Sequence, residues 1–135
     1  MYQQMIFVNL PVSDLDASKK FFTGLGYSIN PQFSDDNAAS VVISDTIVAM
    51  LLTKPFYATF TDKEIADATK SSEVLIALSA ESREKVDELV DRALSLGGTS
   101  TGKTQDLGFM YGRSFDDLDG HTWEVIWMDP SAIES

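Results

Sequence analysis

The chain has 135 residues, 44% hydrophobic, with a formal net charge of −11 and no cysteine. That length suits one compact domain or two small half-domains, and the strongly acidic balance argues against a nucleic-acid partner, because phosphate backbones are repelled. Absent cysteine removes disulfides, thiolate metal sites and cysteine nucleophiles together. No run of about 18 apolar residues indicates a membrane span, and residues 1–4 carry no basic segment of the kind that opens a secretory signal, so a cytoplasmic protein is expected.

Residues 5–12 read as a first strand, with Ile6, Val8, Leu10 and Val12 on one face and Phe7 and Asn9 on the other. Pro11 cannot donate to a ladder and marks an edge or a strand end. Asp14 is placed to cap a helix. Leu15, Ala17, Phe21, Phe22 and Leu25 form its apolar stripe, and Gly26 stops it. Residues 27–33, 39–43 and 46–53 read as three further strands, separated by the turn-rich segments 34–37 and 44–45.

Residues 54–70 break this pattern. Phe56, Tyr57 and Phe60 crowd a stretch without strand or helix periodicity. Thr61 and Glu64 have capping-box spacing, which predicts a short helix running to about residue 69. Residues 73–80 then read as a fifth strand. Ser82 caps a helix whose apolar positions are Val86, Leu89, Val90, Ala93, Leu94 and Leu96, with Gly97 and Gly98 ending it. Residues 99–104, 109–115 and 122–128 follow as strands, with a turn at 105–108, and Asp129-Pro130 closes the ordered part.

The order β-α-β-β-β therefore occurs twice. The two helix caps, Asp14 and Ser82, are 68 residues apart, and the Leu-Gly helix ends, Leu25 and Leu96, are 71 apart. Such a repeat sets the architecture: an α+β fold of two βαβββ modules. The predicted organisation is a first module at 1–54, a linker at 55–70, a second module at 71–130 and a tail at 131–135. Each helix covers one face of its sheet, so the two bare faces must meet or curl around a shared concavity.

Near the C-terminus the Asp119-Gly120 turn leads into a strand with one carboxylate, Glu124, at its middle. A strand glutamate must face water, a partner or a ligand, because an unpaired buried carboxylate is costly. His121, three residues away, falls on the opposite strand face and reads as a turn residue. On the preceding strand Phe109, Tyr111 and Arg113 alternate with Met110, Gly112 and Ser114, and periodicity leaves open which set faces a cleft.

Leu10-Pro11-Val12-Ser13-Asp14-Leu15 with Phe21-Phe22 and Leu25-Gly26, together with Asp117-Leu118-Asp119-Gly120-His121-Thr122-Trp123-Glu124-Val125, resembles the glyoxalase, bleomycin-resistance and extradiol-dioxygenase superfamily, the vicinal oxygen chelate fold. The resemblance implies curved sheets around a cleft, and a homodimer. Metal-dependent members hold a divalent cation with His, Glu or Gln from both modules. Glu124 matches the last of those positions, while the others fall at Phe7, near Ala49 or Met50, and near Leu75, none of which can ligate a hard cation. No metal ligand set and no cofactor is therefore expected, Glu124 being the one matching position, although a divalent metal held in another way stays open.

Two functions follow. In the first the chain binds a small molecule without metal, sequestering or carrying it as in bleomycin resistance, with Phe7, Asn9, Phe56, Tyr57, Leu75, Arg113 and Glu124 as candidate ligand-binding residues. Aromatic stacking, cation–π contact and the Glu124 counter-charge would supply affinity. In the alternative it is a lyase, isomerase or dioxygenase of glyoxalase type, with Glu124 as metal ligand or general base and Tyr111 as acid. A bland third reading pairs Glu124 with Arg113 for structure alone.

Overall fold

The structure, a computed structural model, describes residues 1–133. The chain divides into two compact units, Met1–Ala66 and the segment from Asp67 onward. Each is a four-stranded mixed sheet with one principal helix. In the first unit the elements are β1 (Ile6–Val12), α1 (Leu15–Gly24), β2 (Ser28–Asn30), β3 (Ala38–Val42), β4 (Ile47–Thr53) and the one-turn α2 (Lys54–Tyr57). In the second they are β5 (Ile76–Ser79), α3 (Arg83–Ser95), β6 (Thr99–Asp106), β7 (Met110–Asp116), β8 (Thr122–Met128) and a closing turn of helix, α4 (Pro130–Ile133). The sheet orders β1-β4-β3-β2 and β5-β8-β7-β6 are the same topology repeated, with the outer pairs β1–β4 and β5–β8 parallel.

The helices form where their caps and stripes place them. Asp14 accepts from the Ala17 backbone N–H, and Ser82 accepts from that of Lys85. Gly26 and Gly97 adopt φ of +108° and +105°, the left-handed conformation that ends a helix and that glycine adopts without steric cost. From α1, Leu15, Ser18, Phe21 and Phe22 are buried, and the two phenyl rings meet edge to face at 5.2 Å. They pack over Val41 and Leu51, both fully buried, on the same face as Leu10 and Val12. Full burial of side chains this size stabilises by about 2–3 kcal/mol each. In the second unit Val86, Val90 and Ala93 of α3 cover Phe115, Trp123 and Val125, all at most 2% exposed.

Several expected boundaries shift for identifiable reasons. The second strand stops at Asn30, because Pro31 starts a 3-10 turn, Pro31–Phe33, that the Asn30 side chain caps through the Gln32 N–H. No helix forms at residues 61–69. Thr61 Oγ1 accepts from the Lys63 N–H, two residues on, which makes a local turn in place of a capping box. Asp67 takes both the N–H and the hydroxyl of Thr69 into a second turn. The helix falls earlier, over Lys54–Tyr57, where Pro55 suits a first turn. The fifth strand is shorter than expected, leaving Leu75 ahead of it and 58% exposed. β6 runs on to Asp106, and the chain after Asp129 is helical at 130–133, so the predicted tail begins as structure and its last two residues lie outside the described ones. No helix of the described residues is long and apolar enough to cross a membrane.

Candidate functional site

The register of the second sheet decides the question that alternation left open. Arg113 stands opposite Val125 and Phe115 opposite Trp123, while Ser114 stands opposite Glu124 and Gly112 opposite Ile126. Tyr111, Arg113, Phe115, Trp123, Val125 and Trp127 therefore share one face, and Gly112, Ser114, Glu124 and Ile126 share the other.

The first face is the helix face, and its polar groups are committed there. Tyr111 donates to Asp87 of α3 at 2.6 Å. Arg113 bonds Asp87 and Asp91, each at 2.9 Å. The hydrogen bond from Tyr111, then that from Arg113, holds the Asp87 carboxyl below its ordinary pKa, and the bond to Asp87 raises the Tyr111 phenol above its own. Tyr111 and the Arg113 guanidinium thus lie across the sheet from Glu124. The predicted pairing of Glu124 with Arg113 does not form, because consecutive strand residues alternate sides. Tyr111 is likewise turned away from the carboxylate it was expected to assist.

One turn further, Arg83 reaches from the start of α3 to the end of β6. Its guanidinium makes two bonds to Asp106, at 2.6 and 3.0 Å, a third to the Gly108 carbonyl, and lies over the rings of Tyr111 and Trp127 at 4.9 and 5.4 Å. Hydrogen bonding from Arg83, then from the Gly108 N–H, lowers the Asp106 carboxyl to about 2. This clamp fixes the β6–β7 hairpin from behind.

On the second face a hollow of about 330 Å³ is bordered by Glu124 and Ile126, Gly112 and Ser114, and Lys103, Thr104 and Gln105, with Arg113 at its margin. That volume lies at the lower end of small-molecule pockets. Glu124 is half-buried, and its carboxylate makes no hydrogen bond or ion pair among the described residues. Gly112 and Ser114 are buried. The residues from β6 were not expected from sequence. The signal that could have found them was Gly102 inside a polar strand, since an isolated strand glycine marks a bulge or a close approach.

The remaining candidates fall elsewhere. Phe7, 55% exposed, and Asn9, also exposed, share the face of β1 opposite Val8, Leu10 and Val12, in the first unit. Phe56 and Tyr57 are half-buried on α2, with the Phe56 ring 5.1 Å from that of Phe60. His121 is the turn residue expected of it: its Nδ1 lies 3.1 Å from both carboxylate oxygens of buried Asp117. Burial alone would lower the imidazole pKa, but the hydrogen bond and charge of Asp117, with Asp119 and Asp116 nearby, outweigh it and raise it.

In the β1–β4 ladder Phe7 stands opposite Val48 and Asn9 opposite Met50, and in the β5–β8 ladder Ala77 stands opposite Glu124. The positions at which sequence spacing places the other ligands, Phe7, Ala49 or Met50 and Leu75, carry no group that ligates a hard cation, which leaves Glu124. A divalent-cation site needs about three or four converging protein donors, and this set contains one. The side chains at these positions do not fit such an ion. Among the described residues no group of three or more His, Cys, Asp or Glu is placed to hold a metal.

A tandem βαβββ chain, with one helix per sheet and a hollow on a sheet face beside the last strand, defines a class of small α+β proteins built on duplicated modules. Residues 4–44 match the bleomycin resistance protein-like N-terminal family. The structure is similar to a hypothetical protein of S. aureus, with 31% identity over 94% of this chain and 95% of that one and a TM-score of 0.77. It is similar also to a glyoxalase-related enzyme from Fulvimarina pelagi, at 20% identity over 93% and 88% with a TM-score of 0.78. A third likeness is to a bleomycin resistance determinant encoded on the transposon Tn5, at 18% identity over 94% and 99% with a TM-score of 0.65. None of the curated proteins matches it in sequence. The chain shares the fold of the glyoxalase/bleomycin-resistance/dioxygenase proteins, the vicinal oxygen chelate fold.

Proposed function

We propose that this protein binds a small molecule on the Glu124 face of its second sheet, sequestering or carrying it without a metal gripped by several protein side chains. One observation carries the reading: Glu124 is a half-buried carboxylate with no partner among the described residues, standing in a hollow sized for a small ligand. A carboxylate so placed attracts a cationic or strongly donating group, and the surrounding charge of −11 favours the approach of cations. Ser114, Thr104 and Gln105 supply hydrogen-bonding groups around it, and Ile126 an apolar surface. The likeness to a bleomycin resistance determinant is in keeping with this reading. A cytoplasmic homodimer completes the proposal.

A thermal-shift and calorimetric panel of small cationic, neutral and anionic compounds tests it. Members with a cationic group should stabilise the wild-type protein, and Glu124→Gln should abolish the effect while leaving the unliganded melting temperature nearly unchanged. Stabilisation by anionic or chelating compounds alone would remove the reading.

The enzyme reading keeps one support, the same uncommitted carboxylate, which could serve as a metal ligand or general base in a lyase, isomerase or dioxygenase. Elemental analysis separates the two: stoichiometric Zn, Ni or Fe in the purified protein, lost in Glu124→Ala, would favour the enzyme.

A further inference from the structure

The hollow beside Glu124 holds a second charge, delivered by an irregularity in β6. Ser100 pairs with Phe115 and Thr104 with Arg113, so Thr101, Gly102 and Lys103 together stand opposite Ser114. A regular ladder has room there for one residue, and the surplus makes a bulge. Gly102 takes a φ of +71°, which allows it. The bulge is pinned from several sides. The hydroxyls of Thr101 and Ser114 share a hydrogen bond. Gly102 N–H donates to Ser100 Oγ, and Lys103 N–H donates to Thr101 Oγ1.

Its consequence is that Lys103 borders the hollow from β6 while Glu124 borders it from β8, with β7 between them. Two strand spacings separate their backbones by about 10 Å. The floor between is Ser114, buried and small, which stands opposite Glu124 on one side and opposite the bulge on the other, with Gly112 two residues along β7. Glu124 and Lys103 form no ion pair with each other or with another described residue. A simple cation in this hollow is drawn by Glu124 and opposed by Lys103, and a simple anion meets the reverse. A molecule with both charges, joined by a spacer long enough to cross β7, satisfies the two at once.

We infer that the ligand is a zwitterion, its cationic group on Glu124, its anionic group on Lys103 and its spacer over Ser114. The inference rests on the small-molecule reading of the same hollow and adds the ligand's charge class to it. The Thr101–Ser114 pair is then a positioning device that sets where Lys103 stands.

The test titrates the full-length protein with ε-aminocaproate, n-hexylamine and hexanoate, following amide chemical shifts of the residues around the hollow. The zwitterion should bind at least about tenfold more tightly than either singly charged analogue, a difference of about 1.4 kcal/mol. Lys103→Met should reduce ε-aminocaproate to the affinity of hexylamine, and Glu124→Gln to that of hexanoate. Thr101→Val, which leaves every charge in place, should reproduce the Lys103→Met loss in part. Hexylamine binding as tightly as the zwitterion, or a Lys103→Met variant that binds it as wild type does, overturns the zwitterion while leaving the small-molecule site standing. Silence of the hollow toward all three probes at millimolar concentration removes both.

Discussion

Replacing Asp117 by alanine should be the most damaging single change to the turn that leads into β8. The Asp117 carboxylate is 5% exposed as a residue and organises its whole surroundings. Oδ2 accepts the indole N–H of Trp123 at 3.0 Å, and Trp123 is itself 1% exposed. Oδ1 accepts the backbone N–H groups of Asp119 and His121, each at 3.0 Å, and the His121 ring lies against both oxygens. Removing the acceptor leaves the indole N–H buried and unsatisfied, which costs about 1–3 kcal/mol. The two part-buried turn amides lose about 0.5–1.5 kcal/mol each unless water reaches them. A total near 3 kcal/mol is expected. Urea unfolding followed by tryptophan fluorescence reads it directly, because Trp123 is one of the reporters. Asp117→Asn keeps an acceptor for the two amides and should cost less than Asp117→Ala. A loss below about 1 kcal/mol for the alanine variant, or equal losses for the two, would refute the idea that this carboxylate organises the turn.

Two further outcomes follow from the same region. Because the His121 pKa is raised on folding, its contribution to stability is fully present below the ordinary imidazole value of about 6.5 and is lost as pH rises through the folded value. Unfolding free energy should therefore fall across that window in the wild type, and the fall should shrink in His121→Gln; an unchanged profile in the variant would refute it. Gly120→Ala and Gly26→Ala should differ, although both glycines have positive φ, at +88° and +108°. A Cβ at Gly26 meets nothing within 4 Å, whereas one at Gly120 would lie 2.8 Å from the Thr69 N and 2.9 Å from the Ala68 carbonyl carbon. The first should cost about 1–2 kcal/mol from conformation alone, and the second clearly more, measured by the same urea titration.

The repeat was legible because both modules end their helices at Leu-Gly and start them at a side-chain cap, features set by local chemistry. Trp123, Val125 and Trp127 share the helix face, because bulky apolar residues crowd one side of β8. Tyr111 and Arg113 escaped that logic. Each alternates with a small residue, Gly112 or Ser114, and in many sheets the larger polar set lines a cleft. Here their partners, Asp87 and Asp91, sit on a helix more than twenty residues earlier in the chain, so only the assembled register shows which side they take.

The β6 bulge was hidden for a related reason. Ser100-Thr101-Gly102-Lys103-Thr104 reads as a polar strand with one weak point, and composition does not say how many residues such a point absorbs. The answer depends on what the opposite strand offers at that height. Ser114, small and hydroxylated, leaves room for the surplus and supplies the hydroxyl that binds Thr101. A bulky or apolar residue there would have pushed the surplus residues off the sheet and carried Lys103 away from the hollow. The residue that faces Glu124 across one ladder therefore also sets, across the other, where the opposing charge stands.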